Sequence, residues 1–166
     1  MVCRLLLNCR AAAAAEMALV LPLLLLIMFS SLELGNYFMN EHRLAEAVRN
    51  GARFAARQSF SNYTACSGAP GGNVVSDTRN VVMNGYLSGG TVITPNVQAA
   101  DVNVSTSCLS IAGGQTMTGI YAGRPGGAQK VTVAASVNYK PVISAFGFTG
   151  IGLKLNAKSE AAVAGS

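Results

Sequence analysis

An α+β chain, built as a long N-terminal helix followed by a small antiparallel-sheet domain with one short helix, is predicted by three observations. Residues 11–32 are almost wholly apolar. The next 25 residues keep a helical spacing of apolar side chains but turn polar between them. Beyond Arg57 the composition changes, with 16 of the 18 glycines and three stretches of strict apolar alternation. Helical periodicity first and two-residue periodicity afterwards is the pattern of segregated α and β elements. With 166 residues, the chain has room for one modest domain plus an attached segment.

From Ala11 to Leu32 only Glu16, Pro22, Ser30 and Ser31 interrupt Ala, Leu, Val, Ile, Met and Phe. As a helix, such a run reaches roughly 33 Å, enough to cross the hydrocarbon of a bilayer. Arg4 and Arg10 precede the run and no acidic residue stands among the first ten, which places that end in the cytoplasm. A secretory signal peptide is the competing reading. The run is longer than a usual signal core, contains a carboxylate and lacks a small-x-small cleavage site.

The helix is expected to continue. In "LELGNYFMNEHRLAEAVRNGARFAAR", Leu34, Tyr37, Leu44, Val48, Ala52 and Ala55 recur at steps of three, four or their sum, forming one apolar stripe. Tyr37 and Phe38 fall where interfacial aromatics anchor a span. Arg49, Arg53 and Arg57, four apart, share another face. That face either meets an acidic partner or anionic headgroups, or is simply the solvated side of the rod.

After the loop "CSGAPGG", the stretch "VVSDTRNVVMNGYLSGG" reads as a second helix. Asp77 lies near its start, Val81, Val82 and Tyr86 form its apolar face, and Gly89 and Gly90 end it. "QAADVNVSTS", "QKVTVAASVNYK" and "IGLKLNAKSEAAV" then read as half-buried strands. A glycine-rich loop, "AGGQTMTGIYAGRPGGAQ", joins the first two. Three or four such strands, packed on the polar half of the long helix, would close a core.

Cys66 and Cys108 follow the apolar run. If that part lies outside the cytoplasm they can pair as a disulfide, which for a loop of that length is worth roughly 4 kcal/mol. Two buried free thiols are the alternative. No CxxC spacing exists and His42 is the single histidine, so no common zinc pattern can be completed.

Function classes narrow accordingly. The formal charge of +5 comes from 12 basic and 7 acidic residues, but the basic ones beyond Arg57 are scattered and there is no Trp, unlike a nucleic-acid-binding face. Beyond the first helix only Asp77, Asp101 and Glu160 are acidic. "GRPGG" and "SGAPGGN" lack the lysine and following helix of a phosphate loop. No catalytic residue, metal or cofactor is therefore assigned.

Glu16 needs its own explanation. An ionised carboxylate at a helix centre in hydrocarbon costs on the order of 3 kcal/mol, and less near the edge. It is either protonated or reaching to the headgroups, or it meets a positive charge within the membrane. A free α-amino group just upstream would serve.

With that count, the N-terminus resembles those of type IV pilins and pseudopilins. "AAAAEMALVLPLLLLIMFSSLELGNYFMNEHRLAEAVRNGARFAAR" is similar more closely to the TadE-like pilus assembly proteins of the tight-adherence system, through the Glu16-to-Pro22 core, Glu33-Leu34-Gly35 and the basic helix. The resemblance implies a pseudopilin-like fold and a minor pseudopilin of Flp-type pilus assembly. It would sit in the bacterial inner membrane by one span, with a periplasmic C-terminal domain, among other pilins or pseudopilins and the assembly machinery.

It also implies a leader of residues 1–11, cut by a prepilin peptidase between Ala11 and Ala12 so that Glu16 becomes the fifth mature residue. Ala11 stands where the family pattern has glycine. Residues 12–32 would be the transmembrane helix, 33–57 its amphipathic continuation and 58–166 the extracytoplasmic domain. Glu16 would pair with the Ala12 amine of a neighbouring subunit and set the axial register. Pro22 removes one helix hydrogen bond and either bends the span or is merely tolerated in it. Loss of Arg4 and Arg10 would lower the formal charge to +3. The alternative is an uncleaved single-span protein whose periplasmic domain binds some other partner; a membrane-tethered enzyme is the weaker one.

Overall fold

The computed structural model describes residues 9–92, 96–109, 117–124, 126–147 and 152–165. The first eight residues, including Cys3 and Arg4, lie outside them, as do the early part of the glycine-rich loop and the residues around Phe148.

A single helix, α1, runs from Cys9 to Ala56 and passes through Pro22 without a break. Its 48 residues correspond to roughly 70 Å. It ends one residue before the expected Arg57, whose N–H bonds Phe54 O in the closing turn. The second helix, α2, spans Val74–Asn84. It stops a turn earlier than Gly89 and Gly90 because Gly85 takes up the left-handed conformation at φ 75° and its N–H bonds Val81 O, a glycine stop that no Cβ opposes. Tyr86 consequently leaves the predicted apolar face and is exposed, while Val82 is fully buried.

Three antiparallel strands follow, β1 (Val102–Leu109), β2 (Ala128–Asn138) and β3 (Lys154–Ala162), in the spatial order β1-β2-β3. The registers pair Val104 with Val133 and Val137 with Leu155. β1 begins later than the alternation in "QAADVNVSTS" indicated. The Asp101 carboxylate accepts from Gln98 N at 2.9 Å and closes residues 99–101 into a short 3₁₀ turn, a local bond that competes with the ladder.

Alternation along the strands sends Val102, Val104, Val131, Val133, Ala135, Val137 and Leu155 to one face, where they bury against Leu44, Val48, Ala52 and Ala55 of α1. Two layers thus enclose one core. Leu34, at the start of the predicted stripe, is exposed, because the sheet meets α1 only from about Tyr37 onward.

α2 lies beside α1, and Gly51 sets how close they come. A Cβ there would stand 2.5 Å from Val82 Cγ2. Arg79 Nε donates to Val102 O at 3.0 Å and ties α2 to the first strand. Cys66 and Cys108 form a disulfide, with Sγ atoms 2.11 Å apart. It fastens the loop after α1 to β1, where Thr106 N also donates to Gly68 O at 2.7 Å.

Candidate functional site

Every side chain from Ala12 to Leu32 is exposed, although this is the most apolar stretch of the chain. Among the described residues, none of these side chains is buried by another part of the fold. Water is a poor environment for such a surface, so it calls for lipid or neighbouring helices. Two of its polar side chains are turned inward on their own backbone. Ser30 Oγ donates to Leu26 O at 2.7 Å and Ser31 Oγ to Met28 O at 2.8 Å, which leaves fewer free donors on this apolar segment, as a bilayer would require.

Glu16 is exposed on this segment, and among the described residues it has no cation within ion-pair distance. The Ala11–Ala12 bond lies in the first turn of α1, where N–H groups lack intrahelical acceptors and the helix end frays.

A second cluster sits where the exposed segment meets the domain. The Glu33 carboxylate accepts from Tyr139 Oη at 2.5 Å, from Val142 N at 3.3 Å and from Ile143 N at 3.2 Å. Asn36 Nδ2 donates to the same phenol oxygen at 2.8 Å. The two backbone donors open the 3₁₀ turn Val142–Phe146, so Glu33 fills the place of an N-terminal acceptor from another element. Burial raises the Tyr139 pKa, and donation to Glu33 adds to the effect while the Asn36 bond opposes it. Tyr37 packs edge-on against Tyr139, with ring centroids 5.2 Å apart. Below this cluster, an apolar groove of about 820 Å³ runs between α1 and the turn; Leu26, Phe29, Ile143 and Leu153 are among its lining.

A family model described as TadE-like protein matches residues 11–53. The matched part is all of α1 except its first two and last three residues. Residues 11–53 are thus similar to TadE-like proteins. No curated protein and no solved structure matches the chain. The TadE-like match points to a Tad pilus-related role, and the helix that carries it is long and apolar enough to anchor the chain in a membrane.

Ala11, Ala12, Glu16, Pro22, Glu33, Arg49 and Arg53 all fall within the matched segment. Arg49 and Arg53 lie on the exposed side of α1, opposite Val48 and Ala52, and Arg57 is exposed just after its end. None of the three takes part in an ion pair among the described residues. Cys66 and Cys108 lie outside the matched part, as does the whole three-stranded sheet.

Sequence reasoning missed the clamp formed by Glu33 and Tyr139, which are 106 residues apart. Glu33 was legible as an acidic residue just past the apolar run and as part of Glu33-Leu34-Gly35, with nothing in the sequence to name its partner. It also missed Gln129, which is buried and donates through Nε2 to Tyr63 O. Tyr63 in turn donates to Ala55 O, so this chain of bonds joins β2 to the end of α1. Burial pushes the Tyr63 phenol up to about 12.

Proposed function

We propose that this chain is a minor pseudopilin acting in assembly of Flp-type pili of the tight-adherence system, held in the bacterial inner membrane by residues 12–32. Its N-terminus faces the cytoplasm and its sheet domain the periplasm. The observation that carries the reading is a coincidence of two features: the TadE-like match covers a helix whose N-terminal half is exposed throughout among the described residues, and that half carries a lone carboxylate.

In this reading, prepilin peptidase cuts between Ala11 and Ala12. The new amine of one subunit then meets Glu16 of its neighbour, so that two charges compensate each other in a medium where either alone is costly. The same contact sets the axial position of one helix against the next. The role is structural, with no catalytic residue, metal or cofactor and no nucleic-acid partner. The pilins, pseudopilins and assembly machinery of the same system are its partners.

Mass spectrometry of the native N-terminus tests this directly. A chain beginning at Ala12 is expected. A chain beginning at Met1 in peptidase-competent cells would leave an uncleaved, single-span protein with a periplasmic binding domain. Replacing Glu16 with Ala is expected to abolish or sharply reduce piliation, and unchanged piliation would remove the register role.

A further inference from the structure

We infer that the Val142–Phe146 turn, with Leu153 beside it, is a second membrane-contacting element that dips into the outer edge of the bilayer and is held there by Lys140 and Lys154 against anionic phospholipid. The inference rests on residues 12–32 spanning the membrane.

Position along α1 is the first argument. The bonds from Val142 N and Ile143 N fix this turn at the level of Glu33, the residue that follows the apolar run. The groove beneath the turn reaches Leu26, and seven residues of helix place that floor roughly 10 Å back into the span. The groove is therefore continuous with the lipid-facing surface of α1. Val142 is 57% exposed and Leu153 47%, and both would remain in water if the domain stood clear of the membrane.

The turn is also chemically equipped for lipid. Backbone N–H groups entering a bilayer need internal acceptors. Here Glu33 takes those of Val142 and Ile143, Pro141 O takes that of Ser144, and Leu153 O takes that of Tyr139. Tyr37 and Tyr139 lie at the boundary with their rings in contact, the placement such amphipathic rings adopt at an interface.

Charge then selects the occupant. Lys140 and Lys154 flank the apolar tip and are exposed, no acidic residue occurs between Asn138 and Glu160 in the sequence, and the Glu33 carboxylate beside the turn is engaged by Tyr139 Oη and the Val142 and Ile143 amides. Apolar tip and basic shoulders complement acyl chains beneath anionic headgroups. A second copy packed symmetrically on this face would bring the same lysines against these.

The chain has no Trp, so single-tryptophan variants of the full chain report depth cleanly. In vesicles of brominated phosphatidylcholine containing phosphatidylglycerol, Leu24→Trp reports the span. Val142→Trp and, as a second probe of the same turn, Leu153→Trp report the proposed contact. Leu109→Trp reports the far end of the sheet, since Leu109 pairs with Ala128, ten residues of strand or roughly 33 Å from Asn138.

Quenching of the Val142 and Leu153 probes to within about twofold of the Leu24 probe, with the Leu109 probe unquenched, is expected for an interfacial turn. Replacing Lys140 and Lys154 with Gln should weaken the contact about fivefold per charge in the anionic vesicles. If the Leu24 probe is quenched while both turn probes behave like the Leu109 probe, the inference falls and the span stands. If the turn probes are blue-shifted but unquenched, protein covers the turn and the inference falls. If the Leu24 probe is itself unquenched, the span and the inference fall together.

Discussion

Replacing Gly51 with Ala in the middle of a helix would ordinarily stabilise that helix, by about 1 kcal/mol on propensity alone. In this fold the opposite is expected. The added Cβ would lie 2.5 Å from Val82 Cγ2, with Thr78 Cγ2 at 3.4 Å behind it. Val82 is fully buried and, being β-branched in a helix, has essentially one rotamer. It cannot swing aside, so α2 must shift, and overpacking of this kind costs about 2–3 kcal/mol. The net expectation is a loss of about 1–2 kcal/mol.

Val82→Ala alone should cost about 2 kcal/mol through lost burial and a small cavity. Combined, the two changes relieve each other. The remaining neighbours of the new Cβ stand at ordinary contact distances of 3.4 and 3.7 Å, so the double variant should lie only about 1 kcal/mol below wild type, about 2 kcal/mol better than additivity. Urea unfolding of the detergent-solubilised chain, followed by tyrosine fluorescence, measures all four corners of the cycle. A higher midpoint for Gly51→Ala, or additive single and double effects, would refute the close packing of α1 on α2.

Reducing the Cys66–Cys108 bond frees a loop with a sequence separation of 42 and should lower domain stability by about 4 kcal/mol, read as a drop in urea midpoint with dithiothreitol. Gly126→Ala should disturb the same region without reduction, because its φ is 79° and a Cβ there would collide with Cys66 Sγ; the midpoint should fall. Tyr63→Phe removes a buried donor to Ala55 O and should cost about 1–2 kcal/mol. The folded Tyr63 pKa lies above the ordinary 10.0, at about 12, so its protonated form contributes fully below pH 10 and the contribution is lost as pH rises toward 12. The difference between wild type and Tyr63→Phe should therefore narrow across that range. Glu33→Ala should leave the core intact but raise hydrogen exchange at the Val142 and Ile143 amides by about tenfold, the loss of one charge-assisted bond at a half-exposed site.

Long-range polar contacts were the part of the molecule least visible in the residues alone. Val48, Ala52 and Ala55 declare their buried face because a helix repeats every 3.6 residues, and Val131, Val133 and Val137 declare theirs because a strand repeats every two. Glu33 carries no such periodicity. Its role depends on a turn more than a hundred residues downstream being brought to the same level of α1. Gln129 likewise looks like one more residue at the start of an alternating strand. Only the approach of β2 to the end of α1 buries it against Tyr63 O.

The residues by themselves determined the fold class, the continuous rod of α1 with one half apolar enough to cross a membrane, the three strands and the similarity of the N-terminal segment to TadE-like proteins. All of these follow from local periodicity and composition, which a chain carries before it folds. Tertiary structure decided that α2 stops at Gly85, that Gly51 is the point of closest helix approach, that Cys66 meets Cys108, and that Glu33 clamps the turn at Val142 and Ile143. Each depends on two distant segments arriving at one place, and the spacing of residues along a single segment does not encode that meeting.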